Sequence, residues 1–73
     1  MTEKFYYYEG FISEDEEIVK EHIAQQGYGK WHIEENLGRI YDFDDLYKWC
    51  VMNGYAMMEL KSEFGIDIRK VFD

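Results

Sequence analysis

The sequence predicts one small α+β domain spanning residues 1–73, and three observations carry that assignment. An aromatic-rich run near the N-terminus has strand character. An acidic helix-opening signature follows it directly. A second strand-like region then leads into a helix that ends at Asn53-Gly54. The expected order is β-α-β-β-α-α, an antiparallel sheet packed against helices, with a C-terminal strand as an option. A domain of this length buries only about 60% of the surface its unfolded chain exposes. The core must therefore lean on large side chains, and 19% of the residues are aromatic.

Residues Lys4 to Ile12 read as one strand. Side chains alternate along a strand, so Phe5, Tyr7, Glu9 and Phe11 face one way and Tyr6, Tyr8, Gly10 and Ile12 the other. Both faces carry apolar bodies. Either the strand is covered twice or one aromatic face stays open. Ser13 to Glu16 has capping-box spacing, with an acidic first turn suited to the helix dipole. In the helix it opens, Ile18, Val19, His22 and Ile23 form the buried stripe, Glu14, Glu17 and Glu21 lie on the solvent side, and Gly27 ends it.

Lys30 to Phe43 reads as a β-hairpin turning at Asn36-Leu37-Gly38, with Trp31 and Ile33 on one face. On its return strand either Ile40 or the pair Tyr41 and Phe43 points inward. A helix from about Asp45 to Asn53 follows, with Leu46, Trp49 and Cys50 on its apolar side. Tyr55 to Phe64 favours helix by composition and ends at Gly65. Ala56, Met58 and Leu60 also alternate as a strand would, which would give the ferredoxin-like order βαββαβ. Ile66 to Phe72 completes the chain as a strand or short helical turn.

Sixteen acidic residues against eight basic ones give a formal net charge of −8. Nucleic-acid binding needs a Lys/Arg patch that displaces counterions from phosphates, and the basic residues here are scattered from Lys4 to Lys70. Direct nucleic-acid contact and anionic membranes are both disfavoured. Cys50 is the single cysteine, and no apolar signal segment or long apolar run is present, so a cytoplasmic protein is expected.

His22, His32 and Cys50 are the obvious candidates for a metal or nucleophile, but no pair has ligand spacing. A Cys–His dyad would have to form in space. Asp42, Asp44 and Asp45 lack the glycine and distal glutamate of an EF-hand loop, and helix capping accounts for them more simply. Neither a metal nor a cofactor is expected, nor is an enzymatic activity. The Phe5–Tyr8 run suits core packing, or else an exposed tyrosine patch that docks a protein.

The surplus carboxylates stand out. Glu14, Asp15, Glu16 and Glu17 share one helical turn, Glu34 and Glu35 lie near the expected hairpin turn, and Asp44 and Asp45 open the second helix. B-DNA carries one charge per about 1.7 Å of axis, and Glu14, Glu17 and Glu21 on one helix are sparser than that. Imitation of a duplex would require several clusters on one face, or a dimer.

The expected function is that of a small acidic inhibitor or adaptor that covers a basic surface of a partner protein. Its contact residues would be Tyr6, Tyr8, Glu14, Asp15, Glu16, Glu17, Glu21, Trp31, Glu34, Glu35, Asp44 and Asp45. This general profile resembles phage and mobile-element inhibitors such as anti-CRISPR and anti-restriction proteins, with no shared motif. The alternatives are a ligand-binding or minimal catalytic domain around His22, His32 or Cys50, and a self-associating structural subunit. The chain would act as a monomer or homodimer.

Overall fold

The structure, a computed structural model, describes residues 2–72. Its N-terminal run is two strands, β1 (Phe5–Tyr8) and β2 (Phe11–Ser13), where the sequence suggested one. The pairing Tyr8↔Phe11 leaves Glu9 and Gly10 as a two-residue connection. Glu9 takes the left-handed conformation, with φ 51°, and the Trp49 indole N–H donates to its carbonyl at 3.1 Å. Phe11 thereby leaves the face that continuous alternation would assign it and joins Tyr6 and Tyr8.

Helix α1 (Glu16–Ala24) begins two residues beyond the expected boundary. Asp15 is the cap, accepting from the Glu17 N–H, while Ser13 Oγ accepts from the Asp15 N–H. Val19 and Ile23 are fully buried, but Ile18, expected in the stripe, is half exposed. Two buried positions one turn apart suffice for so short a helix. The acidic residues predicted for its outer side, Glu14, Glu17 and Glu21, are indeed exposed.

Lys30 to Phe43 does not form a hairpin. Helix α2 (Lys30–Asn36) occupies its first half, strand β3 (Gly38–Ile40) follows, and Phe43 belongs to the next helix. Ile33 and Leu37, four residues apart, share a face in helix and strand alike and pack with Val19 and Ile23 here; what the helix changes is the position of Trp31. Trp31, two residues from Ile33, points away from that core and is 74% exposed. Ile40 faces inward.

Helix α3 (Phe43–Asn53) is capped by Asp42, whose carboxylate accepts from the Asp45 N–H, and ends at left-handed Gly54. Helix α4 (Glu59–Phe64) uses only the second half of Tyr55–Phe64 and stops at Gly65. The last segment is a short helix, α5 (Ile68–Phe72). The α+β class and antiparallel sheet stand, but the observed order is ββααβααα, neither β-α-β-β-α-α nor ferredoxin-like.

The sheet order is β2-β1-β3, antiparallel throughout. The register places Phe5, Tyr7, Ile12, Gly38 and Ile40 on one face and Tyr6, Tyr8, Phe11, Ser13 and Arg39 on the other. The first face packs against Leu46, Trp49 and Cys50 of α3, with Leu60 and Ile66. The second meets Val19 and Ile23 of α1 and Leu37. The sheet thus lies between two helical layers. Full burial of a side chain such as Phe5 or Leu46 contributes about 1.5–3 kcal/mol. Among the described residues no helix is long and apolar enough to cross a membrane.

Gly38 is a strand residue and not the turn glycine its context suggests. The Tyr7 ring lies over it, and a Cβ there would collide with the ring. Gly38→Ala should therefore destabilise the domain by about 2 kcal/mol, an overpacking effect. The loss should be smaller in a Tyr7→Ala background, as a double-mutant cycle in urea would show.

Glu9→Gly should have the opposite sign. Relief of the left-handed strain should raise stability by about 0.5–1 kcal/mol, a Tm increase of a few degrees measured by circular dichroism.

Candidate functional site

Carboxylates gather on the layer formed by α1 and α2, which pack against each other. Glu14, Asp15, Glu17 and Glu21 on or before α1 are exposed, as are Glu34 and Glu35 on α2. Glu16 is half-buried and pairs with Lys20 at 2.8 Å, and Glu17 lies 3.8 Å from the same ammonium. The Lys20 hydrogen bond holds the Glu16 carboxyl below its ordinary range. Glu16 in turn raises Lys20, with Glu17 and Glu34 adding to the field. Because α1 packs against α2, Glu34 lies near enough for its charge to reach Lys20. The first two acidic clusters therefore share one side of the molecule.

Trp31 stands in this array. Glu34 and Glu35, at i+3 and i+4, are its neighbours on the helix surface. Behind it, Tyr28 stacks on His32 with centroids 3.8 Å apart, and the Tyr8 hydroxyl meets His32 Nε2 at 3.3 Å. These contacts join α2 to the sheet.

The predicted tyrosine patch is not at the surface. Tyr8 is buried with Val19, Ile23 and Leu37, and Tyr6 is half-buried against that cluster. Burial raises the pKa of both, with Glu3 and Glu16 adding to the effect at Tyr6 and Glu9 at Tyr8. The α1 layer covers the face on which sequence alternation placed them.

Nor does the third acidic cluster join the first two. Asp42 caps α3, and Asp45 accepts the Tyr41 N–H at 3.2 Å, leaving Asp44 exposed. All three belong to the layer across the sheet.

His22 and His32 also lie apart from Cys50. His22 stacks on Phe11 with centroids 4.2 Å apart, whereas Cys50 is buried in the α3 core. Burial raises the Cys50 pKa and so disfavours the thiolate. The dyad arrangement has no geometric basis, and no group of three metal-ligating side chains occurs among the described residues.

Two surfaces emerge that the expected contact residues did not include. Phe43, Tyr47 and Val51 form a second, exposed stripe on α3 at i, i+4 and i+8. Its spacing was readable in the sequence but overshadowed by the stronger pattern of Leu46, Trp49 and Cys50. A cleft of about 640 Å³ also opens between β3 and α3, with Tyr7, Tyr41, Lys48 and Met52 among its lining residues. No local spacing signals it, because its walls come from elements distant in sequence.

No family model matches the chain, and no curated protein or solved structure is significantly similar to it.

Among the described residues, Lys20 and Arg39 form the ion pairs, with Glu16, Glu17 and Glu3. Most carboxylates thus repel without compensation. Raising NaCl from about 0.05 to 0.5 M should increase Tm by a few degrees in a calorimetric scan. A decrease would mean that ion pairs and charged caps outweigh repulsion.

Proposed function

We propose that the chain is a small acidic protein-binding domain, an inhibitor or adaptor that covers a basic surface on its partner through the α1–α2 layer. The observation that carries this reading is Trp31. It is 74% exposed on a helix whose adjacent outward residues are Glu34 and Glu35, beside the exposed carboxylates of α1. A protruding aromatic anchor with a charged rim suits protein recognition, since Trp is among the residues most enriched at interface hot spots. The rim would steer a basic partner and suppress acidic ones.

The layout also refines the duplex-imitation idea. The carboxylates of α1 and α2 share a side, Lys20 partly neutralises them, and Asp42, Asp44 and Asp45 lie across the sheet. Occlusion of a basic patch requires no regular duplex-like spacing. Anti-CRISPR and anti-restriction inhibitors are examples of the functional class this reading implies.

The apolar stripe of α3 supports a second reading, self-association through Phe43, Tyr47 and Val51. Salt separates the two. Screening weakens contact between acidic and basic surfaces but relieves repulsion between two copies of an acidic chain. Sedimentation velocity at low and high salt reports on the second directly.

For the first, immobilised protein should capture a partner from host-cell lysate at about 0.1 M salt and release it near 1 M. Trp31→Ala should weaken a purified partner's affinity by about tenfold or more. Replacing Glu14, Asp15 and Glu17 with the corresponding amides should reduce the low-salt association rate. Unchanged binding by both variants would rule out the α1–α2 surface.

A further inference from the structure

The cleft between β3 and α3 differs in character from the rest of the surface. Its lining combines buried Ile40 and Trp49, the half-buried Tyr7 and Tyr41, and highly exposed Met52. Its volume, about 640 Å³, falls within the range of about 300–1,000 Å³ common to small-molecule sites. A one- or two-ring molecule has room in it.

Its polar groups divide by whether they are already engaged. The Asp45 carboxylate accepts the Tyr41 N–H, the Asn53 amide donates to the Trp49 carbonyl, and the Trp49 N–H donates to the Glu9 carbonyl. Lys48, by contrast, makes no ion pair among the described residues. Arg39 pairs with Glu3 at 3.9 Å, and its charge also acts on Glu16 and Tyr6, so its guanidinium is engaged on the α1 side. Arg39 belongs to the α1-side face of the sheet, yet it lines a cleft on the α3 side, so the cleft wraps round the edge of β3. Lys48 is therefore the cation left unpaired at a concave aromatic surface whose lining also holds the carboxylates Glu9 and Asp45.

We propose that this cleft binds a small planar aromatic carboxylate, its ring against Tyr7, Tyr41 and Met52 and its carboxylate on Lys48. A charge-assisted hydrogen bond from the Lys48 ammonium would fix its orientation, and the aromatic walls would supply apolar contact. A polyphosphate fits less well, because the exposed Glu9 shares the cleft and no glycine-rich loop lines it. This site is separate from the α1–α2 docking surface, and neither proposal depends on the other.

Titration of the ¹⁵N-labelled protein with indole-3-acetate, indole-3-ethanol and tryptamine tests this directly. Indole-3-acetate should produce saturable amide shifts centred on Tyr7, Ile40, Tyr41, Lys48 and Met52, with a Kd of about 1 mM. The neutral alcohol and the amine should bind at least about fivefold more weakly. Lys48→Met alters an exposed position and should weaken indole-3-acetate binding by about fivefold to tenfold while leaving the alcohol's affinity unchanged. Equal affinity for all three compounds would overturn the proposal. So would shifts centred on Tyr28 and Trp31, or failure to saturate by about 10 mM.

Discussion

Strand β1 buries aromatic side chains on both faces, and that requirement places the rest of the molecule. Phe5 and Tyr7 point towards α3, while Tyr6 and Tyr8 point towards α1. A sheet covered on one side would leave two large rings in water, at a cost comparable to their full burial energy. Both helical layers are therefore needed, although a chain this short can build only small ones. Aromatic contacts link them at the sheet's edge, where Phe11 stacks on His22 of α1 and meets Phe64 of α4 edge-on. Trp49 stacks on Tyr55, with ring planes 6° apart, and its N–H holds the turn between β1 and β2.

Double coverage was one of the two options the sequence offered for a strand apolar on both faces, and the ends of the longer helices were legible to within about two residues. Asp42, Asn53 and Gly54 mark α3 because capping chemistry depends on neighbours a few residues away. Tertiary constraints were not legible in the same way. Glu9 carries no local preference for the left-handed region, and its conformation depends in part on an indole forty residues away. Gly38 resembles a turn residue because glycine serves both turns and close ring contacts, and only the register with Tyr7 distinguishes them. At Lys30 to Asn36 the pair Ile33 and Leu37 fits a strand as well as a helix, so the local pattern did not separate the two, and α2 is held by its packing on α1.

The same separation governs the candidate surfaces. Acidic residues could be counted in the sequence, but their grouping depended on the fold. Placing Lys30 to Asn36 in a helix beside α1 brings Glu34 and Glu35 to the α1 carboxylates and turns Trp31 outward. A hairpin would have put Trp31 on the face of Ile33 and buried the feature that now distinguishes that surface. The tyrosines moved in the opposite direction, from candidate contacts into the core. An exposed anchor thus arises from the change in secondary structure that buries Tyr8.

Charge is distributed as unevenly as the apolar surface. On the α1–α2 side, Lys20 sits within the fields of Glu16, Glu17 and Glu34 and leaves the outer carboxylates uncompensated. At the edge of β3, Lys48 and Arg39 border aromatic walls together with the carboxylates Glu9 and Asp45, and of the two cations Lys48 makes no ion pair among the described residues. Net charge alone makes this chain repel every anion. At contact distance, however, local groups outweigh remote ones, because a charge several Debye lengths away is screened while one a few ångströms away is not. The β3 edge therefore offers a setting for an anionic group that the average charge of the chain conceals, and the intervening sheet keeps that setting apart from the acidic face.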